Sequence, residues 1–299
     1  MSRADACRAF LAPARPEWRA ACEVAPGRAL AHLRHPEGTD LIARSQLGQE
    51  IDLYERPGAR PPLFVSYYTA DTPYAALAAR LARSLDRLGL AHRIEAIPSR
   101  GSWVANTGLK AGFIARAWTD SDRPICWIDA DAELLRLPHV VFDNPFDIAL
   151  VRRHGWYDIS SFVYLGKTEA AGALVQRWAE FCAAHPQVWD QVLLTLAWQH
   201  VAQRQDMASL WLHDGIFRFP RPWLRDLRDR LLYYPSRRKI RPFVDQKQAS
   251  RQLKSVIDGA ARRPGERGSD DLSPAFRAML AAHRFDIDPE VAMALWPAT

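Results

Sequence analysis

Pro124-Ile-Cys-Trp-Ile-Asp-Ala-Asp-Ala-Glu-Leu-Leu135 is the stretch on which the reading of this chain turns. The apolar run from Ile125 to Ile128 lies between Arg123-Pro124 and a group of acids, which is how a strand buried on both faces of a largely parallel sheet reads. The C-terminal end of that strand is therefore its acidic end. Ligands of open α/β sheets sit outside the carboxyl ends of the strands, so Asp129 and Asp131 are expected where small-molecule chemistry takes place. Residues two apart in an extended backbone project to one side, which lets both carboxylates face one cation. Such a pair of hard oxygen ligands suits Mg²⁺ or Mn²⁺, with the remaining positions left to water and substrate phosphates. The competing reading is a pair of solvated acids in the turn after a strand.

Working outward, Arg56-Pro-Gly-Ala-Arg-Pro-Pro62 is turn-rich, and Leu63-Phe-Val-Ser-Tyr-Tyr68 after it is the first convincing strand. Thr69-Ala-Asp-Thr-Pro73 supplies a helix cap followed by proline, and residues 74–88 carry Leu77, Leu81, Leu85 and Leu88 at helical spacing until Gly89. His92 to Ile97 reads as a strand and residues 106–118 as a helix feeding the acidic strand. This β-α-β-α-β order predicts right-handed crossovers and parallel pairing. Beyond the acids, residues 133–137 read as short helix or irregular chain, and 146–151 and 160–165 as strands. Residues 167–185 read as a helix broken by Pro186, and 189–201 as another, with Asp190-Gln191 at an exposed start. A strand or hairpin over 209–219, a last strand over 240–244 and a helix over 246–257 complete the pattern. The expected fold is α/β, Rossmann-like, with a mostly parallel central sheet flanked by helices over residues 61–260. Residues 1–60 read as an N-terminal extension of short helical pieces and a linker, and 261–299 as a charged linker and two short helices.

The chain has 299 residues, 48% hydrophobic and 25% charged, an ordinary composition for one large core or two modest ones. Lys and Arg exceed Asp and Glu by 40 − 34 = 6, and arginine dominates. That excess suits a nucleotide or phosphate partner, an anionic membrane surface or nucleic acid alike, but no nucleic-acid-binding motif is present and the arginines scatter. Cys7, Cys22, Cys126 and Cys182 show no paired spacing, which argues for reduced thiols in a cytoplasmic setting and against a zinc site. There is no long apolar run, so any association with a membrane is expected to be peripheral, at its inner face.

Val65-Ser-Tyr-Tyr-Thr-Ala-Asp-Thr-Pro-Tyr74, the helix that ends in Arg83-Ser-Leu85, and Ile128-Asp-Ala-Asp-Ala-Glu-Leu-Leu135 together resemble a GT-A glycosyltransferase of the glycogenin and lipopolysaccharide galactosyltransferase type. The resemblance spans residues 63–257 and implies transfer of a sugar from a nucleotide-diphospho-sugar, UDP-linked above all, to a glycan, lipid or protein acceptor. It implies that Asp129 and Asp131 hold Mn²⁺ or Mg²⁺ against the diphosphate, and that Tyr67, Thr69 and Tyr74 contact the base. A strand-end loop at a helix N-terminus offers N–H donors and a tyrosine offers a stacking face, while core and rim aromatics are the competing reading for both tyrosines. Asn106 and Lys110 lie one turn apart, and the resemblance places a basic residue near the sugar or phosphates there. Lys110 is the only lysine in the first 166 residues; a solvated surface lysine is its alternative. Asp190-Gln191 matches the family's D-Q helix start, implying contacts near the anomeric carbon or the acceptor, against an Asp favoured only by the helix dipole.

The sequence departs from that family at two places. A third metal ligand, a histidine, is wanted on a late strand, yet Pro242-Phe-Val-Asp-Gln-Lys-Gln-Ala-Ser-Arg251 has none. His213, Asp245 or Gln246 are the candidates to replace it, with Lys247, Arg251 and Lys254 as diphosphate partners. Ser160-Ser161 stands where relatives carry an Asn-x-Gly turn. Two further readings remain: a haloacid-dehalogenase-like phosphatase with Asp129 as nucleophile, and an inactive GT-A scaffold that only binds a partner.

Overall fold

The computed structural model describes residues 2–11, 29–35, 38–44, 58–100, 103–152, 158–186, 188–212, 216–218, 227 and 242–247. His213, Arg251, Lys254 and the expected C-terminal linker and helices lie outside the described residues.

Strand alternation explains why the core strands read as unbroken apolar runs. In β5 (Ile125–Ile128), Ile125 and Trp127 enter one core and Cys126 and Ile128 the other. The same period of two runs through β7 (Ile148–Arg152), where Ile148 and Leu150 face the first core and Ala149 and Val151 the second. Both faces are covered. The first core is closed by α3 (Trp103–Asp120), α4 (Glu169–Ala184) and α5 (Asp190–Ala202). The second is closed by α1 (Arg3–Leu11), α2 (Tyr74–Arg87) and a small sheet of β10 (Phe217–Arg218), β11 (Val244–Gln246) and β6 (Ala132–Leu134).

The main sheet has eight strands in the order β2-β1-β9-β7-β8-β5-β3-β4. Here β1 is Ala29–His35, β2 Gly38–Arg44, β3 Leu63–Thr69, β4 His92–Ile97, β8 Asp158–Leu165 and β9 Met207–Leu212. The pairs β3–β4, β3–β5 and β7–β9 are parallel, as expected of strands joined through helices. β8 runs antiparallel to both neighbours, β5 and β7. Its connection to β7 is too short for a parallel crossover, which needs a dozen or more residues. The sheet is therefore mostly parallel in strand direction, with β8 and β1 reversed.

Two local expectations are corrected. Among its described residues, the N-terminal segment read as helical pieces holds the helix α1 and a β1–β2 hairpin that extends the sheet through antiparallel pairing with β9. Residues 133 and 134, the start of the 133–137 stretch read as helical or irregular, belong to β6, held in the small sheet by pairing with β11. α1 is pinned by Cys7, Phe10 and Leu11 in the second core and by Arg3, which pairs with the fully buried Asp147. Asp147 also accepts from Thr168 Oγ1 at 2.5 Å and Ala208 N–H at 2.6 Å, so its charge is shared among three donors. Cys7, Cys126 and Cys182 are buried free thiols, and burial pushes that of Cys7 up to about 11.

Candidate functional site

The acidic end of β5 is where the two layers meet. Trp127 faces the helix layer, and its indole Nε1–H donates to Asp129 Oδ1 at 2.9 Å. The strand then turns, with Ala132 N–H donating to Asp129 O at 3.0 Å. That turn carries Asp131 to the small sheet, where Gln246 Nε2–H donates to Asp131 Oδ1 at 2.5 Å and Lys247 N–H to Asp131 O at 3.1 Å. The carboxylates therefore draw their partners from opposite layers, and a turn, not simple alternation, sets their relation. Both lie near Tyr74: burial first, then the charges of Asp131 and Asp129, push its phenol above the ordinary tyrosine range.

Lys110, on α3, ties this acidic end to a third carboxylate. Its Nζ lies 3.1 Å from Asp129 Oδ1 and 3.0 Å from Asp190 Oδ2, and donates to Ser160 Oγ at 2.9 Å. Ser160 Oγ–H in turn donates to Asp190 Oδ2 at 2.7 Å. Only 5% of Lys110 is exposed, which removes the solvated-lysine reading. Burial works against the ammonium, but Asp129 and then Asp190 outweigh it and hold the pKa above the ordinary lysine value.

Asp190 was expected at an exposed helix start and is instead 4% exposed. α5 is apolar almost all round, so it runs inside the molecule and its first residue starts there. The carboxylate serves Lys110 and Ser160, while the Asp190 carbonyl accepts from Trp178 Nε1–H at 2.8 Å. Gln191 is half-buried beside it. Ser160-Ser161, read at the start of a strand where relatives carry a turn, lies within β8, and the bonds of Ser160 to Lys110 and Asp190 are what sequence reasoning missed. A buried hydroxyl in an otherwise apolar strand needs a partner, and that was the available signal.

The remaining predicted residues divide. Tyr67 is a core aromatic: its ring packs 5.3 Å from both Phe113 and Trp127, and its hydroxyl donates to Asn106 O at 2.6 Å. No ring face is left there for a base. Tyr67→Phe should cost only about 0.5–1.5 kcal/mol, because the Asn106 carbonyl it releases also lies in the hydrogen-bond ladder of α3, and thermal unfolding reads that loss. Asn106 is also spent on structure, its Oδ1 accepting from Arg100 N–H at 2.6 Å and its Nδ2–H donating to Ser99 Oγ at 3.1 Å. Thr69 is buried in the β3–α2 turn, where its carbonyl accepts from Thr72 Oγ1–H at 2.7 Å. Tyr74 hydrogen-bonds Trp103, whose ring meets Trp189 edge-on at 6.4 Å, a chain of rings from the acidic pair to the start of α5. Lys247 is 40% exposed at its side chain, with Nζ donating to Asp245 Oδ2 at 2.9 Å.

No family model matches the chain, and no curated protein matches it by sequence. Solved structures do. A glycosyltransferase involved in the glycosylation of the major capsid of PBCV-1 is 10% identical, with a TM-score of 0.43, covering 67% of this chain and 100% of that one. Mouse xyloside xylosyltransferase 1, in its apo form, is 11% identical, with a TM-score of 0.37 over 64% of this chain and 98% of that one. The glycosyltransferase GlyE of Streptococcus pneumoniae TIGR4 is 11% identical, with a TM-score of 0.41 over 75% and 64%. Likeness at this level leaves the chemistry of the site to its own residues.

Those residues fit a divalent cation. Asp129, Asp131 and Asp190 against Lys110 leave two formal negative charges at one strand end, with Asp131, Asp190 and Lys110 all buried. Buried charge of one sign calls for compensation. Both side-chain contacts of Asp129 named above use Oδ1, which leaves Oδ2 to face a cation. Among the described residues no three His, Cys, Asp or Glu side chains are placed to hold one metal ion by themselves, and no helix is long and apolar enough to cross a membrane.

Proposed function

We propose that this chain is a glycosyltransferase that moves a sugar from a nucleotide-diphospho-sugar, a UDP-sugar first, to an acceptor hydroxyl, with Mn²⁺ or Mg²⁺ held by Asp129 and Asp131. The observation that carries this reading is the buried Lys110 ammonium shared between Asp129 and Asp190. It joins a carboxylate suited to the diphosphate's cation to a carboxylate suited to the sugar, at the carboxyl end of a sheet strand.

When bound, the cation supplies Lewis-acid stabilisation of the departing diphosphate. Lys247, half-exposed beside Asp131 and bonded to it through its backbone, adds a phosphate donor at the rim. The bond between the anomeric carbon and the phosphate oxygen breaks with its electron pair leaving on the diphosphate. The acceptor oxygen bonds the same carbon, and its proton passes to the departing diphosphate oxygen. Asp190, fixed by Ser160 and Lys110, presents a carboxylate to the positive charge that develops on the sugar ring. The rings of Tyr74, Trp103 and Trp189 give the crevice amphipathic walls of the kind sugars and bases pack against. The phosphatase reading wants its acidic strand early in the core; here β3 and β4 precede it.

Titration calorimetry with UDP and a panel of UDP-sugars, with and without Mn²⁺, tests this. Metal-dependent binding that weakens by about 30-fold or more in Asp131→Ala is expected. Absence of binding to any nucleotide-sugar, or a phosphatase activity that dies in Asp129→Asn, would overturn it.

A further inference from the structure

We propose that Gln246 supplies its amide oxygen as a third protein ligand to the cation at Asp129 and Asp131, making the donor set all oxygen. The inference rests on the metal-dependent reading above and names a ligand that reading lacks. Gln246 ends β11, and antiparallel pairing with β6 sets it opposite Ala132, beside the acidic turn. It is 5% exposed. Its Nε2–H is used on Asp131 Oδ1, but its Oε1 is buried with no hydrogen-bond partner. Orphaned buried acceptors are rare, so this oxygen calls for a partner of its own. A half-turn of the amide would set Oε1 against Asp131 Oδ1, two acceptors in the place of a donor and an acceptor. A cation shared between the two oxygens would make that arrangement favourable.

The neighbours support the choice. Asp245 is committed elsewhere, accepting from Arg218 at 2.7 Å and Lys247 at 2.9 Å, and these two donors outweigh burial to hold its carboxyl below the usual range. Among the described residues nothing else of the His, Cys, Asp and Glu class joins the pair. A neutral amide also preserves the charge balance, since two net negative charges already match one divalent cation. Amide and carboxylate oxygens suit Mg²⁺, Mn²⁺ or Ca²⁺, whereas an imidazole nitrogen would favour Zn²⁺ or Ni²⁺.

The test is Mn²⁺ binding without donor sugar, followed by the electron paramagnetic resonance signal of free Mn²⁺, with Zn²⁺ competition on the same samples. Gln246→Ala should weaken Mn²⁺ about 10–100-fold, and Gln246→His should move the Zn²⁺-to-Mn²⁺ affinity ratio toward Zn²⁺ by tenfold or more. Gln246→Glu, close in size, should keep Mn²⁺ binding and serves if the alanine variant does not fold. If Gln246→Ala binds Mn²⁺ as the wild type does while Asp131→Ala does not, the Gln246 assignment falls and the metal reading stands. If Asp131→Ala also leaves Mn²⁺ binding unchanged, the metal reading itself falls.

Discussion

Lys110→Met should destabilise the fold by about 3–5 kcal/mol and lower turnover by about 10²–10³-fold. Methionine keeps the length and apolar stem of lysine, so the loss is one of charge more than of volume. Without the ammonium, Asp129 and Asp190 lose the cation that lies 3.1 Å and 3.0 Å from them. The Asp190 side chain is 6% exposed and loses its ion partner in a dry site, while that of Asp129, 26% exposed, recovers some hydration. Chemical denaturation at several pH values separates this account from simple loss of packing. The folded-state pKa of Lys110 lies above its unfolded value, so its contribution is fully present below the unfolded pKa and is lost as pH rises through the folded one. The stability gap between wild type and Lys110→Met should therefore stay constant from neutral pH to about 10 and narrow only above that. A gap that does not change with pH up to complete unfolding in alkali would mean that packing alone was lost.

The parts of this fold that could be read from sequence are those set by local rules. His92–Ile97 was expected at those bounds, and the helix after Pro73 differed by one residue, because Gly89 and the leucine spacing punctuate it locally. The β1–β2 hairpin was missed because its stability comes from pairing with β9, far along the chain, while its alanines and arginines read equally well as helix. β6 has three residues and exists through β11. The site divides the same way. The acidic pair follows directly from an apolar run that ends in acids. Lys110 stood out as a lone lysine, yet its meaning lies in Ser160, 50 residues away, and in the two carboxylates beside it. Tyr67 shows the converse. Its place in sequence suggested a base contact, and only the arrival of Phe113 and Trp127 against its ring makes it core.

Asp190→Asn should lower kcat by about 10²–10⁴-fold while the Kd for UDP with Mn²⁺ stays within about threefold of wild type. The substitution is nearly isosteric, and an amide oxygen can still accept from Ser160 Oγ–H, so the local geometry has a means of surviving. Lys110 keeps Asp129 as a partner, which limits the cost in stability to about 1–3 kcal/mol. What disappears is the negative charge that the proposed mechanism sets beside the sugar. If Asp190 served only to anchor Lys110, stability and donor affinity would fall together with turnover, and Ser160→Ala, which removes the bridging hydroxyl, would reproduce the whole effect. If Asp190 acts on the sugar, Ser160→Ala should cost only about tenfold, as loss of one positioning hydrogen bond does, and turnover should separate from binding in the Asn variant alone. Single-turnover kinetics with a UDP-sugar, run beside calorimetry on the same two variants, reads both quantities. An Asp190→Asn protein that turns over within tenfold of wild type would remove Asp190 from the reaction and leave it as the counter-charge of a buried lysine.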